Sequence, residues 1–334
     1  MVRSFFRIIR KEVVNLHTAA YTVALLTLLA QILALFRDRI FAFSFGAGTT
    51  LDLYYAAFRL PDVLFALIAS LVSAYILIPL VAKACADSRE EAQKLLSDTV
   101  AFFILVMGGV GIACAVFAPQ ILTAFYPDFA TSTQFDEFVL LTRILLLQPL
   151  FLGLSSVISS VTQIERRFLL YALSPVLYNV GIIGGALFLE PVFGIAGLGV
   201  GVVIGSLLHM LLHIPVLIAS RLLPVPKVPN LMRVWHVVSN SFPRALALSS
   251  QTLIVVGVTI LAAPLAVGSI TIFSFAHNLQ SIPLALIGAS YAVVAFPTLA
   301  TLHAAKDVEA FARKVADAAR HLVLWSMLAL VLFI

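Results

Sequence analysis

The chain has 334 residues, 62% of them hydrophobic and 11% charged, with a mean hydropathy of +1.09 and a net charge of +5. So little polar surface cannot coat a water-soluble globule of this length, which excludes a soluble fold and makes lipid the solvent. The two cysteines, Cys85 in a loop and Cys114 in mid-span, point to neither a disulfide framework nor a thiolate metal site.

In chain order, residues 1–18 carry Arg3, Arg7, Arg10 and Lys11 and read as a short basic segment ahead of an uncleaved first span. Hydrophobic runs of spanning length then recur at 19–45, 51–82, 95–117, 138–161, 168–189, 192–217, 245–267 and 270–299. A last piece, 322–334, is too short to cross. The expected fold is an all-α polytopic bundle with a complete six-helix lobe at 19–217, a connection at 218–244 and a partial second lobe at 245–334. In the connection, Leu231, Val234, Trp235 and Val238 recur at helical spacing beside Arg233 and His236. That is the pattern of a helix lying in the membrane interface, or of a loop helix packed on protein.

Basic residues sort by side. Seventeen of the 21 fall at the N-terminus or in alternate connections, at Lys83, Arg89, Lys94, Arg166, Arg167, Arg221, Lys227, Arg233, Arg244, Lys306, Arg313, Lys314 and Arg320. The opposite connections carry Asp128, Asp136, Glu137 and Glu190 instead. Retention of positive charge predicts that the basic side, with the N-terminus, is cytoplasmic. The basic balance then reflects topology and contact with membrane lipids, with no nucleic-acid partner.

An internal repeat is visible. Ala57-Phe58-Arg59-Leu60 through Ser70 to Ile78-Pro79 resembles Ala276-His277-Asn278-Leu279 through Ser290 to Phe296-Pro297, 219 residues on, each copy following a glycine-containing turn. Six spans separate the copies, so they keep one orientation, as in transporters built from duplicated bundles. The second copy has only three of its six helices before Ile334, and the sequence is expected to be part of a longer protein.

Four basic residues, Arg37, Arg39, Arg59 and Arg143, fall within or beside spans, and Asp38, Asp52 and Asp62 accompany the first three. Charge at that depth is costly, which argues for a wet cavity or for partners. Arginines in a cavity grip phosphate oxygens through forked hydrogen bonds while carboxylates hold them in the unloaded state. The alternative is a salt-bridge network at the outer interface, and the choice turns on the first helix: if it ends near residue 39 the triplet is interfacial, and if it runs to Phe45 the triplet lies inside. Gln148, Asn179, His209, His213, Gln251, His277, Asn278 and Gln280 are polar residues that line such a cavity or bond one helix to another. His209 and His213 have the i, i+4 spacing of a metal pair but no nearby third ligand. No nucleotide-binding motif or nucleophile elbow is present, so transport is expected rather than enzymatic chemistry, with no metal or cofactor.

The order Phe36-Arg37-Asp38, Phe45-Gly46-Ala47-Gly48, Asp52, Ala57-Phe58-Arg59-Leu60-Pro61-Asp62 and Ile78-Pro79 resembles the N-terminal signature of the MurJ/MviN family of lipid II flippases, within the multidrug/oligosaccharidyl-lipid/polysaccharide exporter superfamily. The resemblance implies two six-helix lobes plus two further helices in the bacterial cytoplasmic membrane. It also implies alternating-access movement of an undecaprenyl-pyrophosphate-linked peptidoglycan precursor, with the cell-wall synthesis machinery as a partner; alternating access in turn needs an ion gradient or the membrane potential to act differently on its two states. Arg37, Asp38, Asp52 and Arg59 match its cavity positions, with Arg39, Asp62, Gln31 and Asn278 as further cavity-lining candidates. The chain departs from the family where Gln31 and Asn278 replace arginines and where Phe65, Ala66, Ser70 and Leu71 replace an arginine-containing stretch and an acid-glycine pair. Those losses leave open another lipid-linked oligosaccharide or an amphipathic cation as cargo, or a non-transporting membrane scaffold.

Overall fold

The computed structural model describes residues 16–72, 74–225, 227–284 and 307–333; most of the basic N-terminal segment and the second repeat copy beyond residue 284 lie outside them. The described residues contain helices and no strand, as lipid requires when every backbone N–H and C=O must be satisfied within the segment. Six of the described segments are long and apolar enough to cross a membrane: Thr49–Asp87, Arg89–Val116, Phe135–Ile164, Phe168–Phe193, Ile195–Ala219 and Ala245–Ala262. The chain divides into two compact units, 1–271 and 272–334.

In the first unit α1 is Leu16–Phe45, ended by Gly46 at φ +63°. α2 (Thr49–Ile68) leads through a 3-10 turn, Ala69–Val72, into α3 (Ala74–Asp87). Pro61 and Pro79 each remove a backbone donor from this span. α4 (Arg89–Val116) opens on a Ser-x-x-Glu box in which Ser88 Oγ accepts from the Glu91 N–H at 3.1 Å, with Glu90 and Glu91 at the positive end of the helix dipole. α5 (Ala118–Phe125) and α6 (Pro127–Ala130) are short, and α7 (Phe135–Leu145) continues almost directly into α8 (Leu147–Ile164). Arg143 of α7 donates from Nε to the Ala115 carbonyl at 2.9 Å, placing a cation on the C-terminus of α4.

α9 (Phe168–Gly184) passes through a π turn, Gly185–Leu189, into α10 (Glu190–Phe193) and then α11 (Ile195–Leu211) and α12 (Ile214–Ala219). α9 and α11 cross with their backbones in contact. A Cβ added to Gly185 would stand 2.6 Å from the Gly201 Cα, and Gly181 meets Gly205 in the same way. Glycines four residues apart on both helices let the backbones touch, and dispersion replaces a hydrophobic drive that lipid does not supply. α9 also packs along α1. On the basic side the core joins Leu64, Leu77, Leu96, Phe103, Val157, Leu217 and Leu222.

Two helix ends on the basic side close with an arginine in the left-handed region: Arg166 at φ 54° after α8 and Arg221 at φ 58° after α12. Each is followed by an N–H reaching back five residues, Arg167 to the Thr162 carbonyl and Leu222 to the Leu217 carbonyl, both at 2.9 Å. Glycine is the usual residue at that position.

α13 (Leu231–Ala262) is one continuous helix of 32 residues, begun by Asn230, whose Oδ1 accepts from the Met232 and Arg233 N–H groups. The helical spacing read at 231–238 is thus the start of a helix that runs on without a break into the candidate span Ala245–Ala262. Arg233 and Arg244 mark where apolar character drops, but a charge does not stop a helix as glycine or proline does. Val234 and Val237 are buried, whereas Leu231 and Trp235 are exposed. α14 (Ser269–Pro283) begins in the first unit. The second unit holds the rest of α14 and α15 (Val308–Phe333), a 26-residue helix that absorbs the short terminal run into a longer amphipathic element.

Candidate functional site

α1 runs to Phe45, so the Arg37-Asp38-Arg39 triplet lies within the helix, about 12 Å from its end at 1.5 Å per residue. Arg37 donates from Nε (2.9 Å) and Nη2 (2.7 Å) to Asp38 Oδ1, and from Nη1 to Asn179 Oδ1 of α9 at 3.3 Å. Asn179 in turn donates from Nδ2 to the Pro175 carbonyl at 3.0 Å, so both ends of its amide are fixed. The pair is largely enclosed, with Arg37 and Asp38 side chains 17% and 13% exposed. A guanidinium has five N–H donors, and this arrangement leaves donors on both terminal nitrogens for an incoming oxyanion.

α2 brings a second pair alongside. Arg59 Nη1 stands 3.6 Å from Asp62 Oδ2, one turn apart on the helix. Tyr55 lies in the field of both Arg37 and Arg59, and Tyr178 of α9 in that of Arg37 and Asp62. Gln148 of α8 donates from Nε2 to the Tyr178 hydroxyl at 3.3 Å. Four helices, α1, α2, α8 and α9, thus converge on one polar cluster inside the membrane-spanning bundle. Of the other sequence candidates, Gln31 is half-buried two turns before Asp38 on the same face of α1, and Arg39 is exposed. Asn278 is on α14 in the second unit, its carbonyl accepting from Ser281 Oγ at 2.6 Å.

Asp52 stands apart from this cluster, and its bonds show a different task. It is 5% exposed in the first turn of α2. Its Oδ2 accepts the Gly268 N–H at 2.6 Å, and its Oδ1 accepts the Thr271 N–H at 2.8 Å and the Thr271 hydroxyl at 2.6 Å. The Thr271 N–H is the donor that an N-cap side chain takes and the Gly268 N–H the one that a capping-box side chain takes, so a carboxylate from α2 caps the positive end of α14. Gly268 has φ +95° and a Cβ there would stand 2.5 Å from the Ala47 carbonyl oxygen, so the two glycine-containing turns are in backbone contact. Thr271 lies 219 positions beyond Asp52, the spacing of the sequence repeat.

A second buried acid was missed in the sequence. Asp98 of α4 is 1% exposed; Lys227 Nζ reaches its Oδ1 at 2.9 Å, Arg233 Nη1 its Oδ2 at 3.5 Å, and the Asn230 N–H its Oδ1 at 3.0 Å. It sits at the start of an apolar run, where it resembles an ordinary loop-edge acid, and its partners are more than a hundred residues away. His209 and His213 are tied by Nδ1 to α8, His209 to Ser155 Oγ at 2.7 Å and His213 to Thr162 Oγ1 at 3.0 Å. They bond helix to helix.

The family model described as Lipid II flippase MurJ matches residues 41–334. The chain belongs to the MurJ family. Among curated relatives, the lipid II flippase MurJ of Burkholderia cenocepacia is 29% identical over 88% of this chain and 58% of its own length. The probable lipid II flippase MurJ of Buchnera aphidicola subsp. Acyrthosiphon pisum is 27% identical over 86% of this chain and 57% of its own. This MurJ-family chain therefore spans less than two thirds of the relatives it matches. Among solved structures, a lipid II flippase MurJ in an inward closed conformation aligns with TM-score 0.67 and 23% identity over 91% of this chain and 62% of its own. An outward-facing multidrug resistance MATE family transporter of the MOP superfamily aligns with TM-score 0.56 and 15% identity over 97% and 71% of the two chains. The all-α fold is that of this superfamily, and the protein is a multi-pass inner-membrane protein.

Proposed function

We propose that this protein takes part in moving a polyprenyl-pyrophosphate-linked peptidoglycan precursor, the lipid II class of cargo, from the inner to the outer leaflet by alternating access. The observation that carries this is the enclosed Arg37–Asp38–Asn179 arrangement with Arg59–Asp62 beside it. Arg37 and Arg59 meet phosphate oxygens, Asp38 and Asp62 hold the guanidinium groups when cargo is absent, and Asn179 fixes the direction of Arg37. The family relationship and the names of its relatives support the same reading.

In this reading the basic connections and the N-terminus are cytoplasmic. Asp52 then lies on the outer side, and its bonds to the start of α14 are the contacts that part when the molecule opens outward. Every donor to Asp52 is uncharged, so water replaces all three without stranding a cation. An ion gradient or the membrane potential supplies the bias between states.

The test uses the full-length protein in a host depleted of its own flippase, alongside flipping of the precursor in vesicles. Arg37→Ala is expected to abolish rescue and to weaken precursor binding roughly ten- to hundredfold, the worth of charge-assisted hydrogen bonds. Wild-type failure to rescue, with unchanged flipping in the variant, overturns the proposal.

A further inference from the structure

The non-helical stretches 222–225 and 227–230 lie along the basic-side turns of α4 and are held there at successive points. Gln93 Nε2 donates to the Leu223 carbonyl at 2.8 Å, the Val225 N–H donates to Ser97 Oγ at 2.9 Å, and Asp98 takes Lys227, the Asn230 N–H and Arg233. Arg233 also reaches Glu91 Oε2 at 3.5 Å, so the first turn of α13 is tied to two acids of α4. The attachment is sealed by apolar side chains on both sides of it, Leu222, Val234 and Val237, all buried. The segment is a strap leading into α13, and the turn that Asp52 holds through Gly268 follows the end of that helix at Ala262.

A buried aspartate of the first six-helix bundle thus fastens the chain on either side of α13, Asp98 at its start and Asp52 at the turn beyond its end, with unlike chemistry. The Asp52 end relies on three hydrogen bonds from uncharged donors. The Asp98 end adds two cations, a backbone donor, two flanking hydrogen bonds and an apolar seal, and opening it exposes all of these at once. We infer that Asp98 is a positioning residue that makes the basic-side end of α13 a fixed pivot, with the strap staying docked on α4 while the opposite end releases from Asp52. The inference rests on the alternating-access reading for its purpose, and its test involves no cargo.

The test is amide hydrogen exchange on the full-length protein in lipid nanodiscs, read at four amides whose partners are known: Val225 and Asn230 in the strap, Gly268 and Thr271 at the other end. In the wild type all four are expected to be protected. Asp52→Ala is expected to speed Gly268 and Thr271 at least about tenfold, the loss of one or more hydrogen bonds, and to leave Val225 and Asn230 within about twofold. Asp98→Ala is expected to speed Val225 and Asn230 on the order of a hundredfold while amides of α8 keep their protection. Asp98→Glu, which keeps the charge, is expected to restore part of it. Should Asp98→Ala fail to fold, Lys227→Met removes one strap cation at the surface and is expected to give a several-fold acceleration at the same two amides. Equal acceleration at both ends in Asp52→Ala, or unchanged strap exchange in the Asp98 and Lys227 variants, overturns the pivot. Failure to flip the precursor, with the exchange pattern as expected, counts against the transport reading alone.

Discussion

Asp52 and Asp98 are both buried carboxylates, and both receive the backbone of a segment far away in sequence, yet the company each keeps differs. Asp52 is surrounded by amide and hydroxyl donors at a turn rich in glycine, Asp98 by lysine and arginine under a strap sealed with leucine and valine. A carboxylate on neutral donors makes a contact that parts and re-forms, because water offers the same bonds. A buried carboxylate met by two half-exposed cations and a backbone N–H is costlier to disturb, since its charge-assisted bonds part together. The contrast teaches that the same residue type fastens a moving joint or a fixed one according to what donates to it.

The largest effect that sharpens this contrast is expected at the fixed joint. Asp98→Ala should lower stability by about 2–3 kcal/mol, from the lost charge-assisted hydrogen bonds and the Asn230 N–H left without its acceptor; thermal unfolding of the purified protein in detergent checks it, and a loss below about 1 kcal/mol would erase the difference between the two ends. Asp52→Ala should cost less, about 1–3 kcal/mol for the donors left unsatisfied. Asp52→Asn should retain part of that, because an amide keeps one accepting oxygen.

A backbone change tests the glycine turn. Gly268→Ala is expected to cost about 1–2 kcal/mol from its left-handed φ alone, with further loss as the new Cβ pushes Ala47 away. Exchange at Thr271 should rise with it. The smallest effect is reserved for Thr271→Val, which removes one hydroxyl donor and keeps the N–H bond: about 0.5–1.5 kcal/mol, with exchange at Gly268 nearly unchanged. A Thr271→Val loss as large as that of Asp52→Ala would mean that the hydroxyl, and not the helix N-terminus, carries the joint.

Much of this architecture was legible from sequence because lipid imposes simple rules: apolar runs of spanning length became helices, and Arg37, Asp38, Arg59 and Asp62 stood out because charge is scarce there. The position of Asp52 was legible too, but not its partner, although the repeat spacing of 219 residues leads directly from Asp52 to Thr271. Asp98 stayed hidden because an acid at the mouth of an apolar run looks solvated, and only folding brings Lys227 and Arg233 to it. The four-residue spacing of Gly181 and Gly185 against Gly197, Gly201 and Gly205 was present as a signal for close helix packing and was passed over. The helical spacing at 231–238 was legible, but not its continuity with the span from Ala245, because hydropathy marks where lipid begins and not where a helix begins.

Arg166 and Arg221 each occupy a backbone position suited to glycine, so each stores a local strain that glycine would relieve by about 1 kcal/mol. Both also belong to the set of positive charges by which a nascent chain is oriented during insertion. Two properties that evolution can usually adjust separately, how easily a turn forms and which way the protein threads the bilayer, are therefore carried by the same side chains. Replacing both with glycine should yield a polypeptide that turns more readily at these corners and is less decisive about its topology.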